Sequence, residues 1–564
     1  MIVSHELIQA IFYIAALTAL APVLGGFFAK VLKGEKNFLT PVFGKVETAV
    51  YKFSGINPTE EMDWKVYTFA LMAFNLFGLL FLTLLQLVQS YLPFNPQKLP
   101  NVEITLAINT AVSFTTNTNW QSYAGETTLS YLVQMIGLTV QNFVSAATGI
   151  VVILVIARAF ITRKGTTLGN FWADLTRTTL YLLLPLAIIW AILLVGQGVV
   201  QTFSTYKDVI TLEGAKQTIP LGPAASQIAI KQLGTNGGGF FNANSTFPFE
   251  NPTPFSNFLE MLAILLIPAA LIFTYGKLIG SKKQAWMIYG VMLFMFLLGF
   301  VISAYAEYST NPVFQTSGLM EGKESRFGVM NSVLWSTATT DASNGSVNAM
   351  HDSLSPLAGM VTILNIQLGE IIFGGAGSGL YGMLLHIMLV VFIAGLMIGR
   401  TPEYLGKKIE SYEIKWGIIG ILTPSAVILL FSAIALKTNA GLSSLNNAGP
   451  HGYSEILYAF SSGAGNNGSA FAGLNTNTVF YNLMMALAMF IGRFAVLIPV
   501  MIIAGNLVKK NITPVSSGTL ATDNLLFGLL LTFQILIVGA LTFFPALSFG
   551  PILEHLLMGQ GFTF

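Results

Sequence analysis

The chain has 564 residues, of which 54% are hydrophobic and only 9% are charged, and its mean hydropathy is +0.69. Because a soluble domain carries about 25% charged residues, this composition excludes a water-soluble globular protein and indicates an integral membrane protein. The net charge of +2 is too small to suggest nucleic-acid binding. The sequence contains no cysteine, which excludes disulfides, thiolate metal sites and a cysteine nucleophile.

Ten apolar segments are long enough to cross a bilayer as helices, which takes about 20 residues. They run from Leu7 to Phe28, Trp64 to Leu92, Leu129 to Phe160, Phe171 to Val200, Phe255 to Ile279, Trp286 to Tyr305, Gly379 to Ile398, Trp416 to Leu436, Val479 to Leu507 and Asn524 to Leu547. The N-terminus lacks a basic leader and a small-residue cleavage site, so we expect the first segment to be retained. The predicted fold class is an all-α integral membrane protein.

Four shorter segments lie between these spans. They are Ile104 to Phe114, Pro223 to Leu233, Gly328 to Thr339 and Ser454 to Ser462. A helix of about 9 to 12 residues reaches only about 14 to 18 Å, roughly half of the membrane. We therefore predict four re-entrant pore helices, called half-helices below.

Most of the 27 lysine and arginine residues lie in loops on one side of the predicted spans. Cytoplasmic loops carry an excess of these residues, so this side is expected to be cytoplasmic. The four half-helices and both termini are then expected on the outside. We expect the chain to reside in the cytoplasmic (inner) membrane of a bacterium.

A short polar loop with asparagine in its second position follows each half-helix and recurs about every 110 to 120 residues. The four polar loops are Thr116, Asn117, Thr118 and Asn119; Thr235, Asn236, Gly237 and Gly238; Ser343, Asn344, Gly345 and Ser346; and Asn466, Asn467, Gly468 and Ser469. The chain therefore divides into a first span with its loop (1–63), four span–half-helix–span repeats (64–165, 166–283, 284–408, 409–510) and a last span (511–564). We predict four fused repeats around one pore.

These loops have the chemistry of a potassium filter. A dehydrated monovalent cation needs a cage of neutral oxygens, which backbone carbonyls of four loops around one axis supply. Glycine in the third position of three loops permits the required backbone conformation, whereas the first loop has Thr118 there. Each half-helix also directs its partially negative C-terminal end at the ion. Asn-Gly alone is an ordinary turn dipeptide, but four such loops in register favour the filter. K⁺ is the only metal ion that we expect.

Two charged residues are expected below the filter. Arg493 lies near the middle of the ninth span, where a cation costs roughly 2.5 to 3.5 kcal/mol, so it should face protein or water. It is either a positive charge that stops ions from leaking or the structural partner of a carboxylate such as Glu370. A glycine-rich break that contains Gly374 and Gly375 follows Glu370. Because glycine disfavours helix, this break is either an intramembrane gate loop or a plain kink.

A charged cytoplasmic loop contains Arg400, Lys407 and Lys408. We consider it either a partner-docking surface or only a positive-inside anchor. Asp341, close to the third polar loop, would either raise ion affinity or cap the end of its half-helix from outside.

The loops and their surroundings resemble one known family. The motifs are V-S-F-T-T-N-T-N-W-Q-S-Y (112–123), G-T-N-G-G-G-F-F-N-A-N (234–244), E-G-K-E-S-R-F-G (321–328), I-G-R-T-P-E-Y-L-G-K-K (398–408) and N-N-G-S-A-F-A-G (466–473). Along essentially the whole chain, they resemble the potassium-binding A subunits of Kdp potassium-transporting ATPases, relatives of the Trk and Ktr transporters. The resemblance implies that K⁺ enters from outside and passes to a P-type ATPase partner (KdpB-like), with two small subunits (KdpC-like and KdpF-like) completing the complex.

The chain has no recognisable means of hydrolysing ATP, since it contains neither D-K-T-G nor G-x-x-x-x-G-K-[ST]. We therefore expect no resident cofactor, with K⁺ as the transported ion and ATP used by the partner subunit only. A stand-alone Trk- or Ktr-type channel is the first alternative. A respiratory antiporter-like subunit is the second, but it needs many charged residues within the membrane, and here essentially only Arg493 and Glu370 qualify.

Overall fold

The computed structural model describes residues 4–514 and 519–563 and is overwhelmingly helical. Within these residues, ten helices are long and apolar enough to cross a membrane. They are His5–Leu32, Trp64–Leu87, Val133–Ile161, Phe171–Gly196, Pro254–Leu278, Lys282–Tyr308, Ser378–Met397, Ser411–Lys437, Val479–Leu507 and Leu525–Phe549, the first to tenth spans. The predicted all-α membrane fold with ten spans is confirmed.

Polar residues at both ends of the second span determine where it begins and ends. Asp63 precedes the second span, and its carboxylate accepts hydrogen bonds from the amides of Lys65 and Val66. The same span ends at Leu87, earlier than predicted, because the amide of Gln89 donates to carbonyls of the following loops and holds a separate turn there. The apolar residues that continue beyond Leu87 therefore belong to a connecting loop.

The spans differ strongly in burial, which shows where the centre of the molecule lies. The most apolar stretch of the fifth span is 94% buried and that of the third is 83% buried, whereas the first and second reach only 22%. The first span packs tightly against the fifth: Tyr13 donates to the carbonyl of Met261 (3.0 Å), and a Cβ on Gly25 would lie 2.4 Å from the carbonyl oxygen of Ala270. The third and fifth spans thus form the interior, and the first covers it.

Each predicted half-helix forms a short helix that ends immediately before its polar loop. Their bounds are Ile104–Thr115, Ala224–Leu233, Gly328–Asp341 and Gly449–Gly465. The fourth begins five residues earlier than predicted, because Pro450 occupies its first turn, where a missing amide hydrogen costs nothing. The four helix C-termini therefore point at the four loops.

The third repeat has a feature that the sequence pattern did not predict. A twelve-residue helix, Pro356–Gln367, precedes the glycine-rich break at 368–377, and the seventh span follows from Ser378. The second membrane helix of this repeat is therefore interrupted midway.

Smaller elements lie outside the spans. The helix Thr40–Ser54 is attached through Glu47, which accepts hydrogen bonds from Arg177 (2.8 Å) and Tyr181 (2.7 Å). Two antiparallel hairpins pair Lys207–Ile210 with Lys216–Ile219 and Glu403–Tyr404 with Lys407–Lys408, and a short helix, Pro551–Met558, follows the tenth span.

Candidate functional site: a closed ring of four loops

The first and second polar loops are joined by asparagine side chains. The amide of Asn117 donates to the carbonyl of Thr235 (3.0 Å), and the amide of Asn119 donates to the carbonyl of Gly237 (3.0 Å). Two side-chain amides thus bridge this junction, and both the donors and the acceptors are spaced two residues apart along their loops.

The second and third loops meet through close backbone packing. A Cβ on Gly237 would lie 1.6 Å from the carbonyl oxygen of Asn344, a distance that no side chain tolerates. The amide of Asn344 also donates to the carbonyl of Lys231 in the second half-helix (3.2 Å). Only glycine permits this approach.

The third loop meets the fourth in the same way. A Cβ on Gly345 would lie 2.1 Å from the carbonyl oxygen of Asn467, and the hydroxyl of Ser343 donates to the carbonyl of Asn466 (2.8 Å). Glycine again allows one loop to lie directly against its neighbour.

The contact between the fourth and first loops closes the ring. A Cβ on Gly468 would lie 1.9 Å from the carbonyl oxygen of Thr118, and the amide of Asn466 donates to the hydroxyl of Thr118 (3.0 Å). Each loop therefore contacts the next in chain order, and the last contacts the first. Apart from Gly468, which is half-buried, every predicted loop residue is buried.

The backbone of the three glycines explains why this residue type recurs. Gly237, Gly345 and Gly468 have φ values of +71°, +82° and +98°, a region that side chains disfavour. The second-position asparagines Asn344 and Asn467 each accept a hydrogen bond at 3.0 Å from the amide two residues later, which fixes the turn. The repeated Asn-Gly signal in the sequence thus has a structural cause.

The glycine-rich break lies against three of the four loops. The amide of Ala376 donates to the hydroxyl of Thr235 (2.6 Å), and a Cβ on Gly375 would lie 3.4 Å from Cβ of Ser343. Glu370 accepts a hydrogen bond from the amide of Asn467 (2.6 Å). The break therefore contacts the second, third and fourth polar loops directly.

Two glycines make the break compact. A Cβ on Gly374 would lie 1.5 Å from the carbonyl oxygen of Glu370, and a Cβ on Gly375 would lie 2.4 Å from the hydroxyl of Ser378. The chain folds back on itself here in a way that larger residues would prevent, so the glycines do more than interrupt a helix.

Arg493 is buried, with 6% of its surface exposed, in the ninth span. A Cβ added to Gly149 in the third span would lie 3.1 Å from the guanidinium of Arg493. Arg493 and Glu370 both line a cavity of about 80 Å³ next to Asn466. Among the residues that the structure describes, Arg493 forms no ion pair with Glu370. Glu370 is therefore not a direct ion-pair partner of Arg493, and both side chains border the same cavity.

Asp341 is the last residue of the third half-helix and is buried. Neither of its carboxylate oxygens has a hydrogen-bond partner in the described part of the chain. The interpretation of Asp341 as an outward-facing cap is therefore wrong. Its carboxyl group lies inside the protein at the end of a half-helix.

Within the charged loop that contains Arg400, Lys407 and Lys408, Lys407 does not fit the predicted docking surface. Lys407 is fully buried, and its ammonium donates to the carbonyls of Leu507 (3.0 Å), Thr162 and Lys510 (both 2.5 Å), next to the C-terminal ends of the ninth and third spans. Burial and the neighbouring Lys510 charge lower the pKa of Lys407 to about 8. Because its hydrogen bonds are used within the chain, Lys407 is not available for docking.

Arg400 and Lys408 differ from Lys407 because both are exposed. Their assignment to a partner-docking surface stays a prediction.

Sequence reasoning missed a buried charged network behind the second loop. Lys231 in the second half-helix forms an ion pair of 2.5 Å with Glu250, and both side chains are at most 1% exposed. Glu260 lies in the same network and accepts hydrogen bonds from Ser245 and Gln232. A lysine within a half-helix was the available signal, since buried charges require partners.

Comparison with known proteins identifies the family. Residues 11–556 match the family model described as KdpA, the potassium-transporting ATPase A subunit. Curated relatives named potassium-transporting ATPase potassium-binding subunit include one from Leptospira interrogans (56% identity, 99% of this chain and 100% of the relative) and one from Pseudomonas aeruginosa (54% identity, 99% and 100%).

A solved structure supports the fold independently. The potassium transporter TrkH from Vibrio parahaemolyticus aligns with a TM-score of 0.51 at 15% identity, over 87% of this chain and 95% of that one. At this identity the likeness concerns the fold alone. The family match and the relatives go further: the chain belongs to the KdpA family of potassium-transporting ATPase A subunits.

Proposed function

We propose that this chain is the potassium-selective subunit of an ATP-driven, high-affinity K⁺ uptake complex. The closed ring of four polar loops carries the proposal, because it brings backbone carbonyls and hydroxyls of four repeats together at the ends of four half-helices. Such neutral oxygens replace the water around a dehydrated K⁺, and the helix ends add attraction without a fixed negative charge in the loops. The curated relatives are named potassium-binding subunits, which supports K⁺ as the bound ion.

The region below the ring supports transfer of the ion to another protein. The cavity that Glu370 and Arg493 line continues between the seventh, eighth and tenth spans to Pro424 and Phe543. A carboxylate attracts an ion that leaves the loops, and the guanidinium opposes its escape to the cytoplasm. In this proposal, K⁺ passes along the cavity to a P-type ATPase partner, which alone hydrolyses ATP.

The proposal also includes the setting of the complex. The ten-span chain resides in the bacterial cytoplasmic membrane with both termini outside, and two small subunits complete the assembly. The distribution of lysine and arginine supports this orientation. Arg400 and Lys408 remain exposed for contacts with a partner on the cytoplasmic side.

Reconstitution tests this function against the stand-alone channel. We expect the chain in liposomes to pass little K⁺ by itself, whereas the complete complex takes up K⁺ only with ATP. Tracer uptake measures both. Rapid K⁺ flux through the chain alone would contradict the proposal and support a Trk- or Ktr-type channel.

A further inference from the structure

Lys231 brings a positive charge into direct contact with the backbone of a polar loop. It lies in the second half-helix with none of its surface exposed. Its ammonium donates a hydrogen bond of 2.9 Å to the carbonyl oxygen of Gly238, the last residue of the second loop. An ammonium is a compact point charge, so this oxygen is directed at a side-chain donor of the protein.

The ammonium is held in place by further buried groups. It contacts Glu250 at 2.5 Å and donates to the hydroxyl of Ser245 at 3.1 Å. The other carboxylate oxygen of Glu250 accepts a hydrogen bond from the amide of Phe241 (2.7 Å). Lys231 therefore connects the end of its loop to the segment that follows, and its charge is neutralised locally by Glu250.

The same network reaches the third loop. The hydroxyl of Ser245 donates to Glu260 (2.7 Å), and so does the amide of Gln232 (2.8 Å). The side-chain oxygen Oε1 of Gln232 accepts a hydrogen bond from the hydroxyl of Ser346 (2.9 Å), the last residue of the third loop. A chain of buried hydrogen bonds thus links the outer ends of two neighbouring loops.

The other three repeats have neutral residues at the matching place. Lys231 stands five residues before Asn236, and the residues five before the other loop asparagines are Val112, Thr339 and Ser462. Ser462 accepts a hydrogen bond from the amide of Gly468 (2.9 Å), so a hydroxyl supports the fourth loop where an ammonium supports the second. The second quadrant is therefore electrostatically different from the rest.

We propose that Lys231 is a positioning residue of the filter, which draws the Gly238 carbonyl away from ion coordination and fixes the second loop. This inference rests on the proposed function. It removes Gly238 from the K⁺ ligands that the sequence pattern suggested and leaves the outer end of the ring with unequal quadrants. Discrimination between K⁺ and the larger Rb⁺ depends on how firmly the remaining carbonyls are held, so it depends on Lys231.

The test replaces the buried pair without changing the net charge, as Lys231→Met with Glu250→Gln, in the complete complex. The glutamine oxygen can still accept from Phe241. We expect the ratio of K⁺ to Rb⁺ affinity to fall about tenfold, as loss of a hydrogen bond to a charged group predicts. The matched control is Lys323→Met with Glu307→Gln, which removes an equally buried pair (2.8 Å) that does not touch a polar loop. It should keep the wild-type ratio.

The outcomes separate the inference from the proposed function. An unchanged ratio in the Lys231 variant, with a wild-type complex that discriminates, overturns the inference and leaves the filter standing. A wild-type complex without preference for K⁺ overturns the proposed function. If the double variant does not assemble, Lys231→Gln with Glu250→Gln, which keeps neutral hydrogen-bonding groups but removes the charge beside the Gly238 carbonyl, decides: a lowered ratio supports the inference and an unchanged ratio contradicts it.

Discussion

The junction between the first and second polar loops differs from the other three junctions of the ring. At the others, Gly237, Gly345 and Gly468 let one backbone lie against the next. At the first, two asparagine amides form the bridge, and Thr118 occupies the place of the glycine. Backbone packing at glycine therefore closes three junctions of the ring, and side-chain hydrogen bonds close the fourth. The first loop, which lacks the glycine, is still joined to its neighbour.

The largest effect is expected where a side chain must enter a glycine junction. Gly237→Asp and Gly468→Asp place a Cβ within 2 Å of a neighbouring carbonyl oxygen and add a carboxylate. Overpacking of about 3 kcal/mol corresponds to roughly 100-fold weaker K⁺ binding. Titration calorimetry on the purified complex measures the affinity.

A control for these variants is available on an exposed hairpin. Gly214 has a φ of +81° and no atom within 4 Å of its added Cβ, so Gly214→Asp introduces backbone strain and charge without a clash. It should leave K⁺ affinity unchanged. Unchanged affinity in both loop variants would contradict the assignment of the ring as the ion site.

A smaller steric change should give a smaller loss at the same kind of junction. Gly345→Ala adds only a methyl group, 2.1 Å from the Asn467 carbonyl oxygen. We expect K⁺ affinity to fall about tenfold, which corresponds to about 1.4 kcal/mol. Gly214→Ala, with nearly the same φ and open space, is the matched control. Equal effects of the two variants would mean that backbone strain, not the junction, matters.

Replacement of Arg493 examines the region below the ring. Arg493→Met keeps much of the side-chain volume but removes the positive charge that borders the cavity. We expect the complex to assemble and to transport severalfold less K⁺ per ATP, because ions are no longer held back. The measurement is the ratio of tracer uptake to ATP hydrolysis. Failure to assemble would instead assign Arg493 a structural role.

The smallest effect is expected at Thr118, whose hydroxyl contacts the fourth loop while the asparagines beside it bridge the exceptional junction to the second loop. Thr118→Gly removes a hydroxyl that accepts from Asn466, but the amide bridges of Asn117 and Asn119 remain. Loss of one such hydrogen bond costs about 1 kcal/mol, or about fivefold in K⁺ affinity. Binding titration again measures it. A loss as large as that of Gly237→Asp would show that the amide bridges do not support this quadrant.

The sequence predicted the elements whose signal is local. Ten apolar runs and four half-length runs marked the helices, and the repeated asparagine marked the loops. The helix Pro356–Gln367 was missed because twelve apolar residues are too short for a span and lack the polar loop that marked the half-helices. Spacing along the chain could not show that the break at 368–377 lies against the loops, since those contacts join different repeats.

Buried charges were the hardest features to interpret from sequence. Lys407 was counted with the exposed cytoplasmic lysines, yet it binds carbonyls at the ends of two spans. Lys231 was not singled out within its predicted half-helix, yet its ammonium donates to the carbonyl of Gly238 in the second loop. Both lysines bind backbone carbonyls, which carry no sequence signal, and the Glu250 partner of Lys231 lies 19 residues away along the chain. Composition places a lysine on one side of a membrane, but only the fold shows what it contacts.

Competitive ion binding to the purified complex tests the central claim most directly, that the closed ring selects potassium. Binding of K⁺ in the presence of rising Rb⁺ or Na⁺ is compared between the wild type, Gly237→Asp and Gly214→Asp. The ring predicts strong preference for K⁺ in the wild type and the Gly214 variant, and loss of that preference in the Gly237 variant. Equal preference in all three proteins would contradict it.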